Sequence, residues 1–407
     1  KNSINHIFIM NKDESLLGSI DSESNDRINQ FIKILRKVCN RRELNLHEPF
    51  FSGNETKYLE ECVSTNFVSS VGIFVSKFEK MLSELTRAKH VIATVNGTSA
   101  LHLSLLCLGI RSKDEVLLPT LTFVGSANSI RYCNAIPHFC DISENDLNID
   151  LDKLRDHLKF IVEKHHVHSI NKYTNNRIAA IMPVHVYGQP VDMETLLSIA
   201  SEYKLTIIED AAESLGSFLN KKHTGTFGRI GCLSFNGNKI VTTGGGGAIL
   251  TSDDMLAKQI RHMSTTAKSP HPWELSHDEI GYNYRMPNIN AALGCAQLEL
   301  FSNLLENKRN LHMKYKKELD SISWLRLISE NKESISNYWL NTIILKNNEN
   351  CFQKKLIETC HKEKIFLRPS WKPLHLLPMF QSCPKSELNT TSFLQEKIIN
   401  LPSSAFL

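Results

Sequence analysis

The sequence predicts an α/β protein in which a mostly parallel sheet is sandwiched by helices and followed by a smaller C-terminal α+β lobe. Three observations predict it. Short segments such as EVLLP (115–119) and IAAIMPV (178–184) are apolar on both faces, as strands covered from both sides must be. Helical stretches separate them, the alternation that lays strands side by side in parallel. The chain also has 407 residues, more than one hydrophobic core usually fills, so a second lobe is expected.

Residues 1–46 read as a polar N-terminal extension with one amphipathic helix, Arg27–Val38. Its apolar positions Ile28, Phe31, Ile32, Ile34, Leu35 and Val38 fall largely on one helical face, which is expected to pack on the body. Residues 47–287 form the large domain. In it, 76–88 and 99–108 read as helices, and 91–95, 115–119, 135–142, 178–184 and 205–210 as strands. The basic, histidine-rich stretch 155–178 reads as a surface helix and loop. Residues 288–407 begin with one long helix near 288–320 and continue into the small domain, with strand-like pieces at WLNTIILK and KIFLRP.

Composition narrows the function. The chain is 41% hydrophobic and 22% charged, with mean hydropathy −0.23, which is ordinary for a globular protein. A net charge of +4 with no stripe of basic and aromatic residues speaks against nucleic-acid binding. No apolar run approaches the roughly 20 residues that span a bilayer, and the first residues lack the apolar stretch of a signal peptide. The ten cysteines contain no C-x-x-C pair and several sit in apolar runs. They read as buried free thiols of a cytoplasmic protein, and no metal-ligand cluster is visible.

Three motifs carry chemistry. Asn96-Gly97-Thr98-Ser99-Ala100 follows a strand and opens a helix, whose unpaired N–H groups and small residues suit a phosphate; a plain capped helix start reads equally well. Ile207-Ile208-Glu209-Asp210-Ala211-Ala212-Glu213-Ser214 puts Asp210 at the carboxyl edge of the sheet. There a carboxylate can keep a ring nitrogen protonated, or simply cap a helix. Leu233-Ser234-Phe235-Asn236-Gly237-Asn238-Lys239 places a lysine after a strand and a turn of small polar residues, ahead of four glycines (244–247). A desolvated lysine there could act as nucleophile and proton carrier; a solvated one would only decorate a loop. A phosphate cradle, an acid about 110 residues on and a lysine about 30 further are the parts of a pyridoxal-phosphate site in chain order.

The segments NGTSALHLSL, PTLTFVGSAN, PVHVYGQPVDM, IIEDAAESLGS, GTFGRIGCLSFNGNKIVTTGGGGAI and GYNYRMPNINAALGCAQLE resemble the DegT/DnrJ/EryC1/StrS sugar aminotransferases from about His47 onward. HEPFFSGNE, NFVSSVG and RPSWKPLHLLPMF resemble the branch that acts on UDP-linked 4-keto-6-deoxy-N-acetylhexosamines toward legionaminic acid or bacillosamine. The resemblance implies the aspartate aminotransferase-like fold (pyridoxal-phosphate fold type I), a pyridoxal 5'-phosphate cofactor, L-glutamate as amino donor and a homodimer with composite sites.

Carried over by motif, Lys239 is the Schiff-base lysine and proton carrier, and Asp210 is the partner of the pyridine nitrogen. Thr98, Ser99 and Ser234 hold the phosphate, with Gly97 allowing close approach, and Phe123 lies against the ring. Glu213 stands where many members carry glutamine or histidine. Asn283 reaches the neighbouring subunit's phosphate. His185, Tyr187, Arg368 and His375 are weaker candidates for the substrate. The same chemistry on a GDP- or dTDP-linked 4-keto sugar is the alternative. A 3-dehydratase on this fold would carry histidine in place of Lys239, a non-catalytic regulator would not need the intact motifs, and a dinucleotide fold would need G-x-G-x-x-G spacing.

Overall fold

The computed structural model describes residues 10–164, 168–346 and 351–407. The first nine residues and part of the histidine-rich stretch, 165–167, lie outside them. Seven strands carry the main sheet: β1 (His90–Thr94), β2 (Glu115–Pro119), β3 (Ile136–Cys140), β4 (Arg177–Ile181), β5 (Thr206–Asp210), β6 (Ile230–Ser234) and β7 (Gly247–Thr251). Among the described residues their order is β1-β7-β6-β5-β4-β2-β3. All neighbours are parallel except β7, which runs antiparallel to both β1 and β6. The small lobe has a sheet of β8 (Leu325–Leu327), β9 (Asn341–Leu345), β10 (Arg368–Pro369) and β11 (Ile398–Leu401), in the order β8-β9-β11-β10.

The helices that matter below are α1 (Met10–Cys39), α2 (Ile73–Thr86), α3 (Gly97–Cys107), α4 (Val124–Tyr132), α5 (Asn288–Glu299), α6 (Phe301–Leu319) and α7 (Phe352–Lys362). Strand side chains alternate between faces, and the two faces are covered by different helices. Val116, Leu118 and Ile208 pack under α3 and α4 with Leu103 and Ile130. Leu117 and Ile207 turn the other way, onto Leu158 and Leu196. Each such fully buried aliphatic side chain contributes about 1.5–3 kcal/mol of transfer free energy, so both faces must be apolar, as the sequence showed.

Several elements differ from the sequence reading. The helical region 288–320 is two helices, not one. The Leu300 amide bonds to the Gln297 carbonyl at 3.2 Å, ending α5, and α6 begins at Phe301. The buried α5 packs on α2 in the large domain, with Phe78 against Gly294, whereas α6 carries the chain into the small lobe. In KIFLRP only Arg368–Pro369 joins the sheet. Ile365 instead makes an isolated parallel bridge with Leu44. The histidine-rich stretch closes a hairpin, Val162–Lys164 with Ser169–Asn171, on the edge of β4.

Helix α1 begins well before Arg27. Its Ile28, Phe31, Leu35 and Val38 are buried in one cluster with Leu311 and Tyr315 of α6, Leu356 of α7 and Ile343 and Ile399 of the small-lobe sheet. Phe31 meets Trp324 edge-on at 5.7 Å, and the Arg27 guanidinium lies 5.0 Å over the Phe352 ring.

Candidate active site

A cavity of about 420 Å³ opens at the carboxyl ends of β5 and β6, where the loops leaving a parallel sheet can converge. Lys239 reaches it from the loop after β6. That loop is tied at its base, with the Phe235 amide on the Gly246 carbonyl (2.8 Å) and the Thr243 amide on the Phe235 carbonyl (3.0 Å). A 2.9 Å bond from the Lys239 amide to the Asn236 carbonyl closes the turn that aims the side chain inward. The side chain is 11% exposed, and its Nζ lies 3.5 Å from Glu213 Oε1. Burial pulls the ammonium's pKa below its ordinary value, while Glu213 and Asp210 oppose that pull.

Asp210 ends β5 and is buried. Its carboxylate accepts Ser126 Oγ at 2.7 Å and the Ala212 amide at 3.2 Å. Burial pushes its pKa up, and these two donors with Lys239 hold it down. Glu213, three residues on, accepts the Tyr187 amide at 2.8 Å. Burial raises its pKa too, against the pull of Lys239. Two buried carboxylates thus flank one buried amine.

The start of α3 lines the same cavity with Asn96, Gly97 and Thr98, facing Ser234 and Gly246. A Cβ on Gly97 would meet Ser234 Cβ at 3.0 Å and Oγ at 3.3 Å, so glycine is what leaves the cradle open. Phe123, just before α4, lines the cavity with a 55% exposed ring, an unusual exposure for so large an apolar group.

Lys239, Asp210, Glu213, Gly97, Thr98, Ser234, Phe123 and Arg368 therefore converge. Ser99 does not line the cavity; its amide caps onto Asn96 Oδ1 at 2.7 Å. Arg368 faces the cavity with a buried Nη2 that has no hydrogen-bond partner among the described residues.

The structure does not bring the other three weak candidates to the cavity wall. His185 is fully buried; its Nδ1 accepts the Val191 amide (3.1 Å) and its Nε2 faces Glu209 Oε2 (3.0 Å), so both nitrogens are engaged. The Tyr187 hydroxyl pairs with Ser370 Oγ (2.9 Å), its ring stacks on Trp371, and only its amide reaches the site, through Glu213. His375 pairs with Thr120 Oγ1 at 2.8 Å. Asn283 is exposed and lies outside this chain's own cavity.

Sequence reasoning missed Ser126, Asn238, Trp339 and Trp371, all on the cavity wall. Ser126 lies in PTLTFVGSAN, Asn238 in the turn before Lys239 and Trp371 in RPSWKPLHLLPMF, but nothing within those segments marks these side chains for the site, and Trp339 lies in none of the motifs. Of the residues that could approach an ion, the surface group His262, Asp278 and Glu279 does not line the cavity.

The residues fit pyridoxal phosphate. A buried amine supplies the attachment, a buried carboxylate stands at a sheet edge, a glycine-opened cradle of hydroxyls receives an anion, and an exposed aromatic ring offers a face. Comparison with known proteins agrees. Residues 51–407 match the DegT/DnrJ/EryC1/StrS aminotransferase family. The chain is 38% identical to GDP-perosamine synthase of Escherichia coli O157:H7 over 341 residues (82% of this chain, 86% of that one). It is 34% identical to the GDP-perosamine synthase of Vibrio cholerae over 362 residues (88% and 93%). A UDP-4-amino-4,6-dideoxy-N-acetyl-beta-L-altrosamine transaminase of Campylobacter jejuni is 30% identical over 321 residues (79% and 80%). A solved DegT DnrJ EryC1 StrS aminotransferase from Brucella abortus superposes with a TM-score of 0.79 at 26% identity, covering 87% of this chain and 91% of that one. The chain belongs to the DegT/DnrJ/EryC1/StrS aminotransferase family and is a pyridoxal-phosphate-dependent sugar aminotransferase.

Proposed function

We propose that the enzyme moves an amino group from L-glutamate to the C4 ketone of a GDP-linked 4-keto-6-deoxy hexose, releasing 2-oxoglutarate and the 4-amino sugar nucleotide. The observation that carries the chemistry is the buried Lys239 amine in the cavity, 3.5 Å from Glu213 Oε1 and in the field of Asp210. The GDP preference rests on the two GDP-perosamine synthases, at 34% and 38% identity against 30% for the UDP-sugar transaminase. This reading is preferred to the UDP-N-acetyl branch that HEPFFSGNE and RPSWKPLHLLPMF resemble, because the relatives of higher identity are GDP-perosamine synthases.

When bound, pyridoxal phosphate supplies a carbon that accepts amines and a ring that absorbs the electrons left by a departing α-proton. Gly97, Thr98 and Ser234 would hold its phosphate, and the Phe123 ring would lie against it. Asp210, fixed by Ser126 and Ala212, would keep the ring nitrogen's proton in place. Lys239 would hold the cofactor, and its Nζ would take the proton from the glutamate α-carbon and, in the second half, deliver a proton to the sugar's C4. Burial, which draws the Lys239 pKa down, favours the neutral amine this task needs, and Glu213, 3.5 Å away, would pair with the ammonium that results. Arg368, a cationic side chain on the cavity wall whose Nη2 has no hydrogen-bond partner among the described residues, suits an anionic part of the sugar nucleotide.

A homodimer completes the site in this reading. Asn283 is exposed away from its own cavity, and Phe67, Val68, Val71 and Ile73 present an apolar surface suited to a partner.

The test is a half-reaction followed by absorbance. Purified holoenzyme treated with glutamate loses the visible band of the lysine-bound cofactor, and a GDP-4-keto-6-deoxy sugar restores it. Restoration by the UDP-linked N-acetyl sugar alone would return the substrate to the other branch. No spectral response to glutamate, or borohydride fixing the cofactor to a lysine other than Lys239, would sink the chemistry.

A further inference from the structure

Trp339 opens the small lobe's contribution to the cavity, and no sequence motif singles it out. It is 2% exposed, yet it lines the cavity. Lys239 Nζ sits 3.8 Å from the centre of its ring. The Glu213 carboxylate lies 3.5 Å from the same amine. An ammonium over an indole face is attracted by the ring's quadrupole, more so where water is excluded.

The ring is also fixed. Its indole N–H donates to the Asn238 carbonyl at 2.7 Å, gripping the backbone next to Lys239 itself. Its own carbonyl accepts the Nζ of the fully buried Lys308 at 3.0 Å, and its amide donates to Asn337 Oδ1 at 2.8 Å. Tyr187 closes in from one side at 6.4 Å.

We propose that Trp339 is the positioning residue for Lys239: its ring face and the Glu213 carboxylate together form the place where the lysine amine rests whenever it is not bonded to the cofactor. The inference rests on the reading of Lys239 as the cofactor lysine. Without such a place, a freed four-carbon side chain would wander over several rotamers, and each proton transfer would begin with a search. The grip on the Asn238 carbonyl ties the resting place to the loop that carries the lysine, so the two move as one.

The resting amine has other charged neighbours. Glu213 and Asp210 favour its ammonium form, Arg368 opposes it, and the buried His47 feels its charge. These remain when Trp339 is changed, so the ring's share can be read alone.

The experiment uses full-length enzyme loaded with pyridoxamine phosphate, in which Lys239 is free. Acetic anhydride labelling of Lys239, quantified by mass spectrometry across pH, gives its pKa in wild type, Trp339→Phe and Trp339→Leu. The expected result is a fall of about one pH unit in Trp339→Leu and a smaller fall in Trp339→Phe, which keeps a ring but loses the indole N–H. A purely structural role would lower the melting temperature and leave the Lys239 pKa where it is. If Trp339→Leu does not fold, the fall in Trp339→Phe decides. An unchanged or higher pKa in the variants that fold overturns the proposal. Borohydride mapping of the cofactor to a different lysine would instead overturn the underlying assignment, so the two failures are distinguishable.

Discussion

Ser126 Oγ donates to Asp210 Oδ2 at 2.7 Å, joining the first turn of α4 to the end of β5 inside the cavity wall. The bond steadies an anion that burial works to neutralise. In Ser126→Ala that help is gone, and the pKa of Asp210 rises further. Because the carboxylate must be ionised to hold a ring-nitrogen proton, activity is lost at a higher pH on the acid side. A kcat about tenfold lower at pH 7, with the acid limb of the pH–rate profile moved upward, is the expected outcome. An unmoved acid limb would refute it.

Gly97→Ala pushes a methyl group to 3.0 Å from Ser234 Cβ. The cradle narrows while the helix that follows keeps its Asn96 cap. Cofactor titrations of the apoenzyme should show a dissociation constant at least ~10-fold weaker, with circular dichroism unchanged.

Arg368→Met should separate the two half-reactions. The side chain lines the cavity and its buried Nη2 has no hydrogen-bond partner among the described residues; removing it should leave the glutamate half intact while the KM for the sugar nucleotide rises ~10-fold or more. Equal loss in both halves, measured by stopped-flow absorbance, would assign the arginine to the amino donor instead.

The proposed composite dimer predicts rescue by mixing. Asn283→Ala and Lys239→Ala homodimers should each be impaired. Heterodimers of the two contain one site with both residues intact, so activity should return toward about half of wild type. No recovery after subunit exchange would mean each site is built from one chain.

Stability should fall in acid through buried imidazoles. His312 on α6 lies flat on Tyr338 at 3.6 Å and bonds to Asn341 Oδ1 and Ser329 Oγ, and burial lowers its pKa to about 4. The unfolded chain takes up this proton near pH 6.5, whereas the folded chain resists until about pH 4. The contribution is therefore complete above pH 6.5 and lost as pH falls through this window. His312→Gln should flatten the dependence of melting temperature on pH between these values, even if it lowers stability at pH 7.

The parts of the site legible in sequence were those written in one unbroken stretch at a strand's end. The segments around Thr98, Asp210 and Lys239 each carry their own strand, turn and polar residues, so local rules suffice. Ser126, Trp339 and Trp371 join them only through the packing of distant segments, and no spacing announces that. His185 shows the opposite error. Glu209 and Asp210 point to opposite faces of β5, and His185 pairs with the one turned away from the cavity. The parallel sheet was legible because full burial demands unbroken apolar strands. The break at Leu300 was not, since neither glycine nor proline marks it. The choice of nucleotide was not legible, because the short motifs resemble the UDP branch while the relatives of higher identity are GDP-perosamine synthases.

The joint core of α1 with the small lobe has a consequence for the birth of the molecule. The first structured helix must wait for α6, α7 and the last strand before Ile28, Phe31 and Leu35 have anything to cover. During synthesis the large domain can close on itself while that apolar stripe stays in water, more than 250 residues ahead of its partners. The growing chain thus carries a sticky helix uncovered, and folding of the small lobe is the event that retires it.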